Sequence, residues 1–423
     1  MRILYTVIWI LALPLVVARL FWRGRKEPGY RAHIAERFGL FNSPSIAQDV
    51  RPVIWVHAVS VGETRAAEPL IRQLNVAYPK HRILLSHMTP TGRTTGALLF
   101  PHGEVEQCFL PYDIPFLVQR LVHHFQPKIC ILMETEVWPN LIYTCKKNAL
   151  PVALVNARLS PKSLKKALRL SRLILPASAA ISCVAAQTKA DAERIRQLGA
   201  PNVVVTGNNK FDVNPQPEQI TAGLALRTQL GTRPVLLCAS TREGEEELIL
   251  DAFIQAKLPK VLLIIVPRHP QRFDAVEQLI KQHGLLVQRR STLDSSSIVG
   301  PEINVFLGDS MGEMPRYYAS CDVAFIGGSL MPLGGQNLIE ACALEKPVLI
   351  GPHTFNFDAV STDAIDAGGA LRITDAHELM AVSAQLIENK ERRLAIGKAA
   401  LAFAEQHRGA TARTTALLAD WIK

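Results

Sequence analysis

The sequence has no C-x-x-C pair: its seven cysteines (Cys108, Cys130, Cys145, Cys183, Cys238, Cys321 and Cys342) are scattered and odd in number. Neither a disulfide framework nor a zinc site is expected, and a reducing cytosol fits such cysteines. An Asp-x-Asp pair is missing, as is any His/Cys group at metal spacing, so chemistry without a bound metal ion or other cofactor is expected. The glycine loops of the last third never read G-x-G-x-x-G, which argues against a dinucleotide-dependent dehydrogenase. Tandem repeats and low-complexity tracts are absent as well.

Long apolar runs are confined to the start. Residues 3–18 carry no charge, and the run continues through Leu20, Phe21 and Trp22 with Arg19 as its one interruption. A crossing helix needs about 20 such residues, so this segment either spans a bilayer or lies at its interface with Pro14 kinking it. Residues 1–37 hold seven basic and two acidic side chains, half of the net charge of +10. Arg23, Arg25, Lys26 and Arg31 follow the run whereas Arg2 alone precedes it, which puts the bulk of the chain on the cytoplasmic side. A cleaved signal peptide is the alternative; the basic cluster lies on the wrong flank for it, and no small-x-small site is present.

A chain of 423 residues, 48 % hydrophobic, exceeds the size of one core, which levels off at roughly 250–300 residues. Apolar, β-branched runs at 53–57, 82–86, 105–110, 128–133, 152–155, 181–185 and 203–206 alternate with helical periodicity. The pattern restarts at 235–239 and continues at 261–266, 285–288, 305–307, 323–326 and 348–350, and helices close the chain from Leu379 to Ile422. The expected fold class is therefore α/β, with two Rossmann-like domains facing across a cleft. The expected divisions are 1–26 as membrane anchor and basic flank, 27–213 as the amino-terminal domain and 214–423 as the carboxyl-terminal domain. The stretch 212–220, with Pro215 and Pro217, serves as linker.

In the first half, His57-Ala-Val-Ser60-Val-Gly62-Glu63-Thr64 joins a strand to a helix. Gly62 can take backbone angles closed to other residues, and the helix dipole favours an ionised Glu63, which acts as a general base or merely caps the helix. Ser60 is no acyl nucleophile elbow, because Ala58 stands where glycine is needed. Met133-Glu134-Thr135-Glu136 follows another strand; its acids face the cleft or cap the next helix. Lys210 ends the half, either neutralising charge on a leaving group or lying at the surface. The segment from Lys162 through Lys165, Lys166 and Arg169 to Arg172 shares one basic face, suited to anionic lipid, to a phosphorylated acceptor or simply to water.

In the second half, Arg268 sits in Val266-Pro267-Arg268-His269-Pro270 and can hold a phosphate at two points or pair with a surface acid. Met311, Gly312 and Glu313 follow a further strand. Gly327-Gly328-Ser329 and Gly334-Gly335-Gln336-Asn337-Leu338-Ile339-Glu340 read as a phosphate cradle at a helix start, with Glu340 toward ribose hydroxyls; a purely structural glycine loop is the alternative.

Several of these stretches, with Met88-Thr-Pro-Thr-Gly92, Leu110-Pro-Tyr-Asp113, Asn156-Ala-Arg158-Leu-Ser160 and Gly351-Pro-His-Thr-Phe-Asn-Phe357, carry a resemblance that runs through nearly the whole chain. The sequence resembles the 3-deoxy-D-manno-octulosonic acid (Kdo) transferases of Gram-negative bacteria, which have the GT-B fold. The resemblance implies inverting transfer of Kdo from CMP-Kdo to lipid A precursor (lipid IVA) at the cytoplasmic face of the inner membrane. Inner-membrane lipid is then a partner through the first helix and basic surface, and nucleic acid is not. Glu63 becomes the base, with Glu134 and Lys210 supporting the transition state and Ser60, Gly62 and Arg158 as acceptor or loop residues. CMP falls to Pro267, Arg268, Met311, Gly312, Glu313, Asn337, Leu338, Ile339 and Glu340. The sequence departs from the family at Gln336, where histidine is expected, and at Asn208 and Asn209, in place of Ser-Leu. Two rivals stand beside this reading: a GT-B enzyme using a UDP-sugar, and a catalytically silent membrane scaffold binding phosphorylated glycolipid.

Overall fold

Strands that are apolar on both faces and separated by helices satisfy their surroundings only in a parallel sheet covered on both sides. The computed structural model, which describes residues 1–25, 27–42, 50–212, 217–258, 260–294 and 297–422, contains two such sheets. In the first, β1 (Val53–His57), β2 (Arg82–His87), β3 (Glu106–Phe109), β4 (Pro127–Met133), β5 (Val152–Ala157), β6 (Cys183–Ala186) and β7 (Val203–Val205) take the order β3-β2-β1-β4-β5-β6-β7. In the second, β8 (Val235–Thr241), β9 (Leu262–Pro267), β10 (Val287–Arg289), β11 (Val305–Leu307), β12 (Val323–Ile326), β13 (Val348–Ile350) and β14 (Ala370–Arg372) take the order β10-β11-β9-β8-β12-β13-β14. Every strand expected from the sequence is present; the unexpected one, β14, is three residues long and holds no β-branched side chain.

Alternation of side chains across each strand builds a core on either face. Val53 and Trp55 join one cluster with Leu84 and Leu132, whereas Ile54 and Val56 join another with Ile83 and Leu85. Chain direction across the sheet reverses between the neighbouring strands β1 and β4, and likewise between β8 and β12. Loops at the carboxyl ends of such strand pairs are where open α/β sheets bind ligands.

The chain divides into Met1–Asp212 with Arg408–Lys423, and Val213–His407. Two expectations change. Residues 408–423 belong with the first unit, because Leu418 and Ile422 are buried against Ile54, Val56 and Leu70. The helix Arg2–Arg23 is not a separate segment but part of the first unit, and its helical course runs through Pro14. This helix is long and apolar enough to cross a membrane. Lys26 and residues 213–216, within the expected flank and linker, lie outside the described residues. The basic segment forms two helices, Pro161–Arg169 and Ser171–Ser178, and the first buries none of its residues.

Candidate active site

Ser60, in extended conformation, opens the helix Val61–Ala77 and puts Glu63 in its first turn, beside the end of β1. Glu63 Oε2 accepts the backbone N–H of Val59 at 2.7 Å, so it does brace the helix entry. That bond occupies one carboxylate oxygen. Burial pushes its pKa up to about 8; the Val59 N–H pulls the other way, Glu136 and Glu134 push further, and Arg158 opposes them. The expectation that the helix dipole keeps Glu63 ionised is thus reversed, because desolvation outweighs it. Gly62 also differs from expectation. Its φ is not left-handed, and a Cβ there would meet nothing nearer than Ser60 Oγ at 4.0 Å. The absent side chain leaves exposed space next to Glu63.

Glu134 opens the turn after β4 with φ 54°, a left-handed conformation, and is 5 % exposed. A non-glycine residue held this way costs roughly 1–2 kcal/mol, so surrounding contacts must fix it. Arg158 Nε and Nη2 each lie 3.0 Å from Glu134 Oε2, and Lys210 Nζ lies 3.5 Å from Oε1. Three residues from three loops, all expected at the site, therefore share one ionic group. Glu136 is also pushed up by burial and by Glu134, against the pull of the Trp138 indole. Burial, reinforced by His87, drives buried His57 down to about 3, so its imidazole is neutral and no proton acceptor at physiological pH.

Sequence reasoning missed the frame around Lys210. Its 3-10 turn, Asn209–Asp212, is held by Asn156 Oδ1, which accepts the Asn209 N–H at 3.1 Å. The Asp212 carboxylate accepts the N–H groups of Gly409 at 2.6 Å and Thr411 at 2.5 Å, at the start of the helix Ala410–Leu418. Arg413 Nε donates to the Thr206 carbonyl at 2.8 Å.

In the second unit Pro267 ends β9, and the Arg268 N–H donates to the Thr241 carbonyl at 2.9 Å. After burial, the charges of Arg242, Arg268 and Arg272 depress the pKa of His269, which marks a concentration of guanidinium groups beside the β8 and β9 ends. Arg272 is paired with Glu246 at 2.9 Å.

The expected phosphate cradle at Gly327-Gly328-Ser329 is corrected. The Gly327 N–H donates to the Ala239 carbonyl at 2.8 Å, and the N–H groups of Gly328 and the following Leu330 go to a residue that sequence reasoning passed over: the fully buried Glu245. Glu245 Oε2 accepts the N–H of Gly328 at 2.6 Å and of Arg242 at 2.9 Å, while Oε1 accepts that of Leu330 at 2.9 Å. This glycine loop is structural, and Glu245 ties the β8 loop to the β12 loop at the switch point. The signal was an acidic helix start, Gly244-Glu245-Glu246-Glu247, directly after a strand.

Further along, Gly335 donates its N–H to the Gly328 carbonyl at 2.6 Å, with φ 91° at Gly334 and 74° at Gly335. Asn337 Oδ1 accepts the Ile339 N–H at 3.2 Å, and its Nδ2 lies 3.4 Å from Glu340 Oε1. Leu338 and Ile339 are buried, which leaves their backbone, not their side chains, for a ligand. The helix they open, Ile339–Ala343, is five residues long, so its dipole is weaker than expected. Arg268 and Glu340 are close enough that both charges act on the buried Tyr318 hydroxyl. Glu313 accepts from Ser310 Oγ at 2.5 Å and pairs with Arg290 and Arg316. Beside it, Met311 is exposed and Gly312 takes φ 78°. Among the described residues no three His, Cys, Asp or Glu side chains converge as for a metal ion.

The family model for 3-deoxy-D-manno-octulosonic-acid transferase (kdotransferase) matches residues 32–213, the span that carries Glu63, Glu134, Arg158 and Lys210. A 3-deoxy-D-manno-octulosonic acid transferase of Bordetella pertussis is 44 % identical, covering 97 % of this chain and 96 % of its own. One from Haemophilus influenzae is 37 % identical, covering 100 % of this chain and 99 % of its own. The crystal structure of UDP-GlcNAc 2-epimerase from Neisseria meningitidis superposes with a TM-score of 0.60 at 15 % identity over 87 % of this chain and 100 % of that one, a likeness of GT-B-type fold alone. With the ionic group at Glu134 inside the matched span and relatives aligned nearly end to end, the chain belongs to the 3-deoxy-D-manno-octulosonic acid transferase family.

Proposed function

We propose that this chain transfers Kdo from CMP-Kdo to a hydroxyl of lipid A precursor (lipid IVA), with inversion and release of CMP, at the cytoplasmic face of the inner membrane. The acceptor hydroxyl gives its proton to the Glu63 carboxylate as its oxygen bonds to the anomeric carbon of Kdo. The bond from that carbon to the CMP phosphate oxygen breaks, and its electron pair leaves with CMP. Lys210 and Arg158, aligned on Glu134, present positive charge as the transition state forms. Arg268, in its guanidinium-rich surroundings, takes the departing phosphate. Glu313, Asn337 and Glu340 hold the nucleoside, and Met311, Gly312, Leu338 and Ile339 line it. No divalent ion is required in this reading, since CMP carries one phosphate.

The observation that carries the proposal is Glu63: half-buried, engaged through a single backbone hydrogen bond, with a pKa of about 8. A base near the working pH transfers protons most effectively. The test is CMP release from CMP-Kdo with tetraacylated lipid A precursor, with products counted by mass spectrometry. Glu63→Gln is expected to abolish both release and product mass gain; unchanged turnover in that variant removes Glu63 from the mechanism.

A further inference from the structure

The helix Arg2–Arg23 is long enough to cross a bilayer, yet it is covered along one face from its first turn to its last. Arg2, Tyr5, Thr6, Trp9, Leu13 and Val16 are half-buried and Leu20 is buried, at the three- and four-residue spacing of a single helical stripe. What covers them is the first unit itself.

The contacts at the beginning of the helix are polar and specific. Tyr5 donates its hydroxyl to Asp113 at 2.9 Å, Thr6 donates to Asn140 Oδ1 at 3.1 Å, and the Arg2 guanidinium stacks 3.4 Å from the Tyr143 ring centroid. Asp113 belongs to the interior of the unit: it is 1 % exposed and accepts the N–H groups of Asn140 at 3.2 Å and Leu141 at 2.7 Å. In the middle, Trp9, Leu13 and Val16 pack on Tyr112, Ile114 and Leu117. At the far end Arg31 donates to the Phe21 carbonyl at 3.2 and 2.9 Å, and Arg23 lies over the Tyr30 ring at 4.3 Å.

A spanning helix has its first residues about 30 Å from its last, on the far side of the hydrocarbon. Here both ends touch the same folded unit. Spanning would strip Tyr5 and Thr6 from Asp113 and Asn140 and leave a buried carboxylate short of a donor.

The opposite face carries Ile3, Leu4, Leu11 and Leu15, all more than half exposed, with Trp22 at its end. Arg19, Arg23 and Arg25 are exposed beside that tryptophan. An apolar stripe with an aromatic end and a basic flank suits one leaflet of an anionic bilayer, with the charges at the headgroups. We propose that this helix is a docked, in-plane membrane helix: its inner face stays on the first unit, and its outer face enters one leaflet without crossing.

The inference rests on the reading of the chain as membrane-associated, and the experiment separates the two. The native cysteines are all buried, so the full chain is given one cysteine in a short Gly-Ser extension ahead of Met1. A parallel variant, Val76→Cys, reports the side of the globular part, being 82 % exposed. Both are tested in sealed vesicles of phosphatidylethanolamine and phosphatidylglycerol with a membrane-impermeant maleimide. Labelling of both positions from the same face, in protein that floats with the vesicles, is the expected result. An extension cysteine reached only from the opposite face, or only after detergent, overturns the in-plane helix while leaving membrane association standing. Protein that fails to float overturns both.

Discussion

Lys210 Nζ stands 3.5 Å from Glu134 Oε1 while Arg158 holds the other oxygen of the same carboxylate at 3.0 Å. The acid is nearly inaccessible and sits on left-handed backbone, whereas both cations are partly exposed. Such an arrangement fixes two positive groups on one buried negative anchor. Glu63 itself makes no ion pair among the described residues, so neither cation ties up its carboxylate.

Removing Lys210 tests the division of labour. Lys210→Met is expected to lower kcat about 10²-fold, the scale of losing one transition-state donor. Stability should fall by about 2 kcal/mol, because an ion-pair partner of a buried acid is gone. Lys210→Arg, which retains the charge, should recover a large part of both. Steady-state CMP release and urea denaturation measure the two effects separately.

The raised pKa of Glu63 fixes the direction of the pH dependence. Only the ionised carboxylate accepts a proton, so log kcat/KM should climb with a slope near one up to about pH 8, where the group titrates, and then level. Stability moves oppositely. A folded pKa of about 8 above the ordinary 4.5 means that the native state holds the proton more tightly, so this contribution is full below pH 4.5 and is lost as pH rises toward 8. Glu63→Gln does not titrate; it should become steadily more stable than the parent protein across that window, as measured by thermal unfolding at several pH values.

The strands were legible because buried parallel β-structure needs uninterrupted apolar, β-branched runs, and Glu63, Glu134 and Lys210 were legible as polar residues at strand ends. Glu245 was not. Its partners Gly328 and Leu330 lie 83 and 85 residues away, and a glycine loop looks the same in sequence whether its N–H groups meet a phosphate or a carboxylate. The return of 408–422 to the first unit was equally hidden, since an apolar helix face does not say which sheet it will cover. Arg158 entered through family resemblance; its approach to Glu134 depends on the register of β4 with β5.

Glu245→Gln separates loop architecture from nucleotide contact. The amide keeps one acceptor oxygen but turns an NH2 group toward a backbone donor, so at least one of three buried N–H groups loses its partner. A loss of about 1–3 kcal/mol is expected. The β12 loop leads into the Gly334–Glu340 segment, and CMP affinity measured by calorimetry should therefore weaken even though Glu245 faces backbone. Retained CMP affinity in a folded Glu245→Gln would show that the glycine loop does not shape the nucleotide site.

Asn209 offers the opposite outcome, a stabilising substitution. It is fully buried, and neither its side-chain oxygen nor its nitrogen has a hydrogen-bond partner among the described residues. The family resemblance leads one to expect leucine there, a side chain of similar size with nothing to desolvate. An unsatisfied buried amide costs about 1–3 kcal/mol, so Asn209→Leu should raise the stability of the first unit by an amount of that order, read as a higher midpoint in urea. The turn itself is held through the Asn209 N–H, which donates to Asn156 Oδ1, and through Asp212, neither of which the substitution touches. Lys210 should stay in place and CMP release should be unchanged. A fall in stability would mean that the amide has a partner in the working protein, and a fall in turnover alone would make that partner part of the reaction.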